Sequence, residues 1–454
     1  MLIKFRLRNI LSFQEEQELS LIPGNVQTKK NHLLIDSENN HFLKYLSIFG
    51  ANGSGKSNLI KAIDLAKRII ITGNLNNINN LYCKLNKINQ LIPSKFEFII
   101  NLDGIIYSYG FEIILNSQKI TTEWLKIFDV KSNSYIDTIF SREIGKQFYF
   151  NKNYFNDEQL QKRLDIYFED AKNQNILFLT IMNVNKEAFY VNNTTNIIIF
   201  NKVFKWFNNS LVIIFPNIGI DNSQYLQSDE SIKKISQYLN SFGTGIKECK
   251  LRESSLEEFK SEINNIQFYQ SILDALNMQT QLNLLNNITP EKIVLNARFM
   301  DKMFIISQTK EQIEVKKVSI LHENSDADFS FADESNGTRR IFDLIEVLLN
   351  LDTEKTYFID EFNIYLHPLL SFKFIKEFLE LKNKSQLIIT THESKLLDNE
   401  LIRRDEILFT DRPNFNSSEL YSLEKYKERF DKKFEKAYLS GEYKALPIFK
   451  DMFC

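Results

Sequence analysis

The chain has 454 residues, of which 43% are hydrophobic and 25% are charged, and its formal net charge is −2. This composition is ordinary for a globular protein of two or three domains, and the near-neutral charge excludes a generally basic nucleic-acid coat protein. The cysteines Cys83, Cys249 and Cys454 are far apart, which argues against a disulfide framework or a zinc site and predicts reduced thiols in the cytoplasm.

The first elements predict an antiparallel β lobe within residues 1–155. Residues 3–8 alternate apolar and basic side chains, which predicts a half-buried strand. Further along, Asp103-Gly104 separates two alternating apolar runs, residues 96–102 and 107–113. A tight Asp-Gly turn between such runs is a strong hairpin signal.

A glycine-rich stretch, "IFGANGSGKSNLIKAI" at residues 48–63, lies inside this lobe. An apolar strand, the pattern G-x-x-x-x-G-K-S and an amphipathic helix follow each other without a gap, which is the arrangement of a phosphate-binding P-loop. We expect Lys56 to reach the β- and γ-phosphates of ATP and Ser57 to coordinate Mg²⁺. The predicted nucleotide-binding residues of the loop are Gly50, Asn52, Gly53, Ser54, Gly55, Lys56, Ser57 and Asn58. The alternative is a glycine-rich turn that binds nothing.

Residues 156–290 are predicted to form a mostly helical insertion. Residues 229–243 carry apolar side chains at helical spacing and end at Gly243, a plausible helix stop, and residues 255–276 have a similar pattern. The most apolar stretch, residues 196–215, contains two lysines and four asparagines. We interpret it as protein core and not as a membrane span.

Residues 291–410 predict a second ATPase lobe, and residues 411–454 a terminal helix and tail. The short apolar runs "TYFID" and "QLIIT" suit buried parallel strands, and the helical pattern "LSFKFIKEFLEL" lies between them. The predicted fold class is α/β: an ATPase head with an antiparallel β lobe, a mostly parallel sheet with flanking helices, and a helical insertion.

Polar residues follow both predicted parallel strands. Asp360 and Glu361 come after "TYFI", and we expect Asp360 to hold Mg²⁺ and Glu361 to polarise the attacking water. His392 follows "QLIIT" and could bond the γ-phosphate and sense its loss. Because ligands bind at the carboxyl ends of strands in open α/β sheets, these residues and the P-loop should meet at one edge. The alternatives are a surface acidic pair and a structural histidine.

A second predicted anion site is the helix start at Ser335, Asn336 and Gly337, in "DESNGTRRIFDLIEVLLN". One nucleotide does not need two such helix starts from one chain. Two facing chains do, if each offers its P-loop to one ATP and this helix start to the other. The alternative is an ordinary helix N-cap.

The motifs "GANGSGKSN", "SNGTRR", "FIDEFNIYLHP" and "TTHES", in this order, resemble the ABC-type ATPase heads of the SMC, RecF and OLD clan. The chain is most similar to the RloA-like ATP-binding proteins of bacterial restriction and phage-defence islands, and the likeness covers roughly residues 1–155 and 290–454. It implies a homodimer that sandwiches ATP and Mg²⁺, with Lys56, Asp360, Glu361 and His392 in catalytic roles. The sequence departs from transporter subunits at Glu334–Arg339, where those carry Leu-Ser-Gly-Gly-Gln. The glutamine of the Q-loop has no clear counterpart, and Glu123 is the candidate for its place.

Three functions remain open. The first is a cytoplasmic ATPase that senses or regulates a separately encoded effector, a nuclease or a toxin, in antiphage defence. This reading is motivated by complete ATP motifs without a cutting site, since residues 393–454 are too short for the Toprim domain of OLD-type nucleases. The second is a DNA-repair ATPase of the RecF or SMC type that binds DNA directly, and nucleic acid therefore stays open as a partner. The third is an ATP-bound scaffold of low turnover. No membrane partner is expected.

Overall fold

A computed structural model describes residues 1–146, 148–172, 175–186, 189–190, 195–216, 229–285, 292–299, 302–309, 312–349, 354–426 and 433–447. The chain forms two compact units, the first made of Met1–Phe215, Asp352–Phe362 and Lys382–Cys454, and the second of Pro216–Leu351 and Asn363–Leu381. The predicted segments 1–155, 156–290, 291–410 and 411–454 have other boundaries and stay a prediction. The boundary at 290 and the terminal residues 448–454 lie outside the described residues.

The strands of the first unit form an antiparallel sheet, a mostly parallel sheet and a small hairpin. The strands in the N-terminal part are β1 (Leu2–Arg8), β2 (Gln17–Ser20), β3 (Leu33–Ile35), β4 (His41–Leu43), β5 (Tyr45–Phe49), β6 (Ser94–Leu102), β7 (Ile105–Ile114), β8 (Lys119–Asp129), β9 (Ser134–Glu143) and β10 (Tyr149–Phe150). Five more strands of this unit are β11 (Leu211–Ile214), β17 (Thr356–Ile359), β18 (Gln386–Thr390), β19 (Ile407–Asp411) and β20 (Glu419–Ser422).

The described helices of the first unit are α1 (Lys56–Thr72), α2 (Glu158–Ala171), α3 (Phe178–Ile181), α4 (Ile198–Lys205) and α10 (Phe434–Leu439). Those of the second unit are α5 (Asp229–Ser241), α6 (Leu256–Ile263), α7 (Ile266–Leu285), α8 (Asn336–Leu349) and α9 (Pro368–Glu380). No helix in the described part of the chain is both long and apolar enough to span a membrane.

The antiparallel sheet has the strand order β10-β9-β8-β7-β6-β1-β2. The predicted hairpin is confirmed as β6 and β7, which pair from Ser94 with Ile113 to Leu102 with Ile105. The prediction of a half-buried β1 is wrong in one respect, because Lys4 is buried and its ammonium pairs with Glu18 at 2.9 Å. A register shift after Leu2 also moves Ile3 into a separate apolar cluster, away from Phe5 and Leu7. The basic side chains of β1 therefore pair with carboxylates of the neighbouring strands β2 and β6 and do not simply extend into solvent.

The mostly parallel sheet has the order β11-β17-β18-β5-β19-β20, and only β20 is antiparallel to its neighbour. All residues of β5, β17 and β18 are buried, as their continuous apolar runs predict. Helix α1 contributes its predicted apolar face, including Leu59, Ile60, Ile63 and Ile70, to the core cluster of this unit. The predicted mostly parallel α/β sheet is therefore confirmed.

The predicted insertion is not wholly helical. Within residues 156–290, β11 forms an edge of the parallel sheet, and a further strand, β12 (Ile246–Ser254), belongs to the second unit. The stretch 196–215 does belong to the core, where Phe200, Trp206 and Leu211 are buried. Cys83 and Cys249 are buried free thiols, whereas Cys454 lies outside the described residues.

The second unit contains an antiparallel sheet that the sequence analysis missed. Its strands are β12, β13 (Ile293–Phe299), β14 (Lys302–Gln308), β15 (Ile313–His322) and β16 (Asp328–Ser330). The short continuous apolar run Met303–Ile306, within "KMFIISQ", was a usable signal for β14. Helices α6 and α7 contribute Phe259, Ile263 and Leu276 to one apolar cluster with residues of β13–β15.

Candidate functional site

The glycine-rich loop joins β5 to α1, as predicted, and two of its glycines leave no room for a side chain. A Cβ atom at Gly50 would collide with the carbonyl oxygen of Thr410 and lie 2.5 Å from the hydroxyl oxygen of that residue. Gly55 has a φ of 118°, which side chains rarely adopt, and a Cβ atom there would lie 2.5 Å from Ser418 Oγ. Close packing against Thr410 of β19 and against Ser418, directly before β20, therefore restricts the course of the loop.

Lys56 lies folded against the loop that it follows. Its ammonium donates hydrogen bonds to the carbonyl oxygens of Gly50 at 2.8 Å and Ala51 at 3.1 Å. Burial lowers the pKa of Lys56 to about 8, although the nearby carboxylates of Asp360 and Glu361 act in the opposite direction. A buried cation near carboxylates and beside a glycine loop fits the binding of phosphate oxygens.

Ser57 and Asp360 meet next to Lys56. The Ser57 hydroxyl donates to Asp360 Oδ1 at 3.1 Å, and Asp360 is only 3% exposed. The register of the sheet explains the meeting: Ile359 of β17 is opposite Ile389 of β18, and Thr390 is opposite Ile48 of β5. A serine hydroxyl and a carboxylate are oxygen ligands of the kind that Mg²⁺ prefers, so these two residues fit the predicted metal site.

Thr390 is a residue of the site that the sequence analysis missed. Its hydroxyl donates to Asp360 Oδ1 at 2.6 Å and accepts from the Glu361 backbone N–H at 2.8 Å. Glu361 itself has a left-handed φ of 45° and a partly exposed side chain. One buried hydroxyl therefore orients the carboxylate of Asp360 and supports the unusual backbone of Glu361. Its position at the last residue of an apolar strand was the available signal.

His392 lies two residues beyond the end of β18. Its side chain is exposed, yet partial desolvation lowers its pKa to about 4, and the Lys56 ammonium contributes in the same direction. The backbone N–H of Thr391, directly before His392, donates to the carbonyl oxygen of Ile48 at 3.1 Å, so His392 follows a residue held next to the start of the glycine-rich loop. At neutral pH its imidazole is uncharged and can donate or accept a hydrogen bond.

Ser12 and Thr410, which the sequence analysis missed, hold the loop through hydrogen bonds to predicted loop residues. Ser54 and Thr410 share a hydrogen bond of 2.6 Å between their hydroxyls, and Asn58 Nδ2 donates to Ser12 Oγ at 3.0 Å. The other predicted loop residues, Asn52 and Gly53, are exposed. Serines and threonines far apart in sequence give no local pattern, and the contacts of Ser12 and Thr410 could not be read before the fold was known.

Ser335, Asn336 and Gly337 lie at the start of α8, in the second unit. The Ser335 hydroxyl accepts a hydrogen bond of 3.1 Å from the backbone N–H of Thr338, which is the geometry of an N-cap. Ser335 and Asn336 are both exposed. A Cβ atom at Gly337 would lie 2.9 Å from the carbonyl oxygen of Tyr365. This helix start is preformed and accessible, as an anion site requires.

The Q-loop candidate Glu123 does not belong to the phosphate site. Its side chain is fully buried in β8, where it accepts from the Tyr109 hydroxyl at 2.9 Å and from the backbone N–H of Phe178 at 2.7 Å. The guanidinium of Arg142 lies 2.9 Å from the same carboxylate. Glu123 therefore fastens the β lobe to α3. A cavity of about 1110 Å³ between β9–β10 and α2 likewise contains none of the predicted site residues.

Solved structures similar to this chain are SMC heads. One is an "SmcHead bound to the C-winged helix domain of ScpA" (12% identity, 94% of this chain and 99% of that chain, TM-score 0.39). Another is an "SMC head domain from Thermotoga maritima" (14% identity, 93% and 98%, TM-score 0.33). A third is an Smc head with an extended coiled coil, bound to the C-terminal domain of ScpA derived from Pyrococcus furiosus (12% identity, 94% and 97%, TM-score 0.34).

The comparison with protein families identifies the family of the chain. No curated protein matches the chain. Residues 46–398, which span the P-loop, Ser335–Gly337, Asp360, Glu361 and His392, match a single family. The chain therefore belongs to the family described as "AAA domain, putative AbiEii toxin, Type IV TA system".

Proposed function

We propose that the chain binds and hydrolyses ATP with Mg²⁺, forms an ATP-sandwich dimer, and regulates a separately encoded effector in antiphage defence. One observation carries the ATPase proposal: Lys56, Ser57 and Asp360 meet where the adjacent parallel strands β5, β18 and β17 end. Ligands bind at such strand ends in open α/β sheets.

Each residue has a distinct task in this proposal. The backbone N–H groups of the loop and the Lys56 ammonium bind phosphate oxygens. Ser57 and Asp360 would hold Mg²⁺, which supplies positive charge to the phosphates when it is bound. Glu361 polarises the attacking water, and neutral His392 forms a hydrogen bond with the terminal phosphate. Thr390 keeps Asp360 and the backbone of Glu361 in place.

The dimer is supported by the helix start of α8. Ser335 and Asn336 are exposed at a preformed helix N-terminus, which can accept an anion from outside the chain. In a symmetric dimer, each chain would bind ATP with its own P-loop and contact the partner's ATP with this helix start.

The role in defence is supported by the family description, which names a putative toxin and a type IV toxin–antitoxin system. The motif resemblance to RloA-like proteins of restriction and phage-defence islands points in the same direction. In this proposal the ATPase acts on a separately encoded partner protein, through the difference between its ATP-bound and ATP-free states.

The ATPase proposal is tested with two variants and a control. Lys56→Ala should weaken ATP binding by about 100-fold or more, because it removes the cation of the site. Glu361→Gln should bind ATP normally and lose at least about 100-fold in kcat. Glu380→Gln, an exposed carboxylate at the end of α9, should change neither quantity. Turnover by Glu361→Gln at the wild-type rate would contradict the assignment of the catalytic carboxylate.

The effector is tested by co-purification. Glu361→Gln protein, expressed with its gene neighbours and purified with ATP, should retain a stoichiometric partner protein with nuclease or toxin features. Recovery of DNA alone, released steeply by moderate salt, would replace the regulator with a DNA-repair ATPase. Normal biological function of the Glu361→Gln protein would instead indicate a low-turnover scaffold.

A further inference from the structure

Residues 433–447, called here the terminal segment, belong to the first unit and pack both beside the strands next to the P-loop and against the turn after His392. The segment contains α10 and a turn after it, and Phe434, Tyr438 and Tyr443 are buried. No role in the predicted ATP chemistry requires this segment. Its contacts therefore call for an explanation of their own.

The first contact lies beside the P-loop. The ring of Tyr438 stacks on Phe409 of β19 with the centroids 5.7 Å apart, and it lies 6.1 Å from the ring of Phe49. Phe49 is the last residue of β5 and directly precedes Gly50. Tyr443 is fully buried, and its carbonyl oxygen accepts from the Tyr421 hydroxyl at 2.8 Å. The terminal segment is thus a fixed part of the wall next to the loop.

The second contact lies directly after His392. The Glu435 carboxylate accepts from Ser394 Oγ at 3.0 Å and lies 3.3 Å from the Lys395 ammonium. The Glu435 backbone N–H donates to the carbonyl oxygen of Leu397 at 3.1 Å. These bonds fasten the short 3₁₀ helix Ser394–Leu396, which is the next element after His392.

We propose that Glu435 is a positioning residue for ATP hydrolysis, which holds the turn after β18 so that His392 keeps its place at the phosphate site. This inference rests on the proposed ATPase function. His392 lies in the short link between β18, which is fully buried, and the 3₁₀ helix that Glu435 fastens. Holding both ends of the link restricts the backbone of His392, and release of one end would let its imidazole move away from the phosphate site.

The test compares three variants of the full-length protein. Glu435→Ala removes both side-chain contacts, Glu435→Gln keeps an acceptor for Ser394, and Glu442→Ala removes an exposed carboxylate of the same segment, which accepts from Ser440 Oγ at 3.1 Å. We expect Glu435→Ala to lower kcat for ATP hydrolysis about tenfold with KM and melting temperature nearly unchanged, since small misplacements of a catalytic group have effects of this size. Glu435→Gln should recover most of the rate, and Glu442→Ala should equal the wild type.

Equal kcat values for Glu435→Ala and wild type would overturn the inference, and so would a parallel loss of kcat, ATP affinity and melting temperature, which indicates a merely structural role. A second readout does not depend on turnover. The chain has 5 histidines, and the His392 signal in the spectrum of ¹³C-histidine-labelled protein can be identified by its loss in His392→Gln. Glu435→Ala should move this signal and Glu442→Ala should not. If Glu435→Ala leaves the His392 signal unmoved, the positioning role of Glu435 is refuted, whether or not the protein hydrolyses ATP. If the signal moves but the wild-type protein shows no turnover, only the proposed ATPase function is refuted.

Discussion

At the scale of single residues, the site depends on buried polar atoms that hold the catalytic groups. Asp360 Oδ1 accepts hydrogen bonds from both Ser57 and Thr390. Thr390 is fully buried and also accepts the backbone N–H of Glu361. Loss of such a bond in a buried place costs about 1–3 kcal/mol, because the remaining polar group cannot turn to water.

Thr390→Val should therefore lower kcat about tenfold, since the isosteric side chain can neither donate to Asp360 nor accept from Glu361. Thr390→Ser keeps the hydroxyl and should retain most of the activity. Steady-state ATPase assays on both variants check this expectation. If valine and serine at this position gave equal rates, the hydroxyl would have no part in orienting the site.

A second residue-scale prediction concerns stability and pH. Lys44 is only 2% exposed, and burial lowers its pKa from 10.5 to about 8. The folded state therefore disfavours the charged form. The penalty is complete below about pH 8 and disappears as the pH rises towards 10.5, where the unfolded chain also loses the proton.

Lys44→Met should accordingly raise the free energy of unfolding at pH 7 by about 1–3 kcal/mol. Its advantage over the wild type should shrink between pH 8 and pH 10. Chemical denaturation at pH 7 and at higher pH provides the measurement. Lys61→Met, at an exposed position of α1, is the matched control and should show no such trend. A destabilised Lys44→Met at pH 7 would mean that the partners of Lys44 outweigh its desolvation.

At the scale of elements, the shape of the P-loop depends on the flanking β5 and α1 and on Thr410 and Ser418, which pack against it. Strand β5 is buried on both faces, and α1 begins directly after Gly55. Thr410 at β19 and Ser418 before β20 leave no space for side chains at positions 50 and 55. The requirement for glycine thus comes from tertiary contacts as well as from the ligand.

Gly50→Ala should displace the loop from Thr410 and weaken ATP binding by about 100-fold while the protein still folds. Gly145→Ala is the control, because Gly145 lies in the turn after β9 with nothing within 4 Å of the added methyl group. It should cost only about 1 kcal/mol of stability and leave ATP binding unchanged. Binding titrations with a fluorescent ATP analogue compare the two. Normal affinity in Gly50→Ala would show that the loop tolerates the displacement.

At the scale of the whole molecule, the predicted active unit is a dimer with two composite sites. Lys56 is in the first compact unit and Ser335 in the second. If each ATP is bound by Lys56 of one chain and Ser335 of the other, a dimer of one Lys56 variant and one Ser335 variant keeps one intact site.

Lys56→Ala and Ser335→Arg should each abolish hydrolysis when the variant is alone. An equimolar mixture should recover about a quarter of the wild-type turnover, since half of the dimers are mixed and each of these has one intact site of two. A chain with both substitutions, mixed with the wild type, should add no activity beyond that of wild-type dimers. A mixture of the single variants that stays inactive would contradict the composite sites.

The sequence predicted the positions of elements correctly where the pattern is contiguous, whereas the roles of the site residues stay predictions. The loop from Gly50 to Ser57, the acidic pair after β17 and the parallel strands each occupy a short stretch with its own periodicity or motif. The assignment of Glu123 to the Q-loop was wrong. Its carboxylate pairs with the guanidinium of Arg142 and accepts from the backbone N–H of Phe178, and no pattern near Glu123 in sequence predicts these distant partners. In the sheet β12–β15, strand β12 was missed because α6, α7, β13 and β14 separate it in sequence from its partner β15, so that only the pairing identifies it.

The sequence by itself determined that this protein has a P-loop, a later strand that is directly followed by Asp360 and Glu361, and an α/β core, because these features depend on local backbone chemistry and on hydrophobic runs. Only the tertiary structure decided which polar atoms meet: Thr390 with Asp360, Thr410 with the loop, and Glu435 with the turn after His392. The register between strands far apart in sequence determines such meetings, and no local pattern encodes that register.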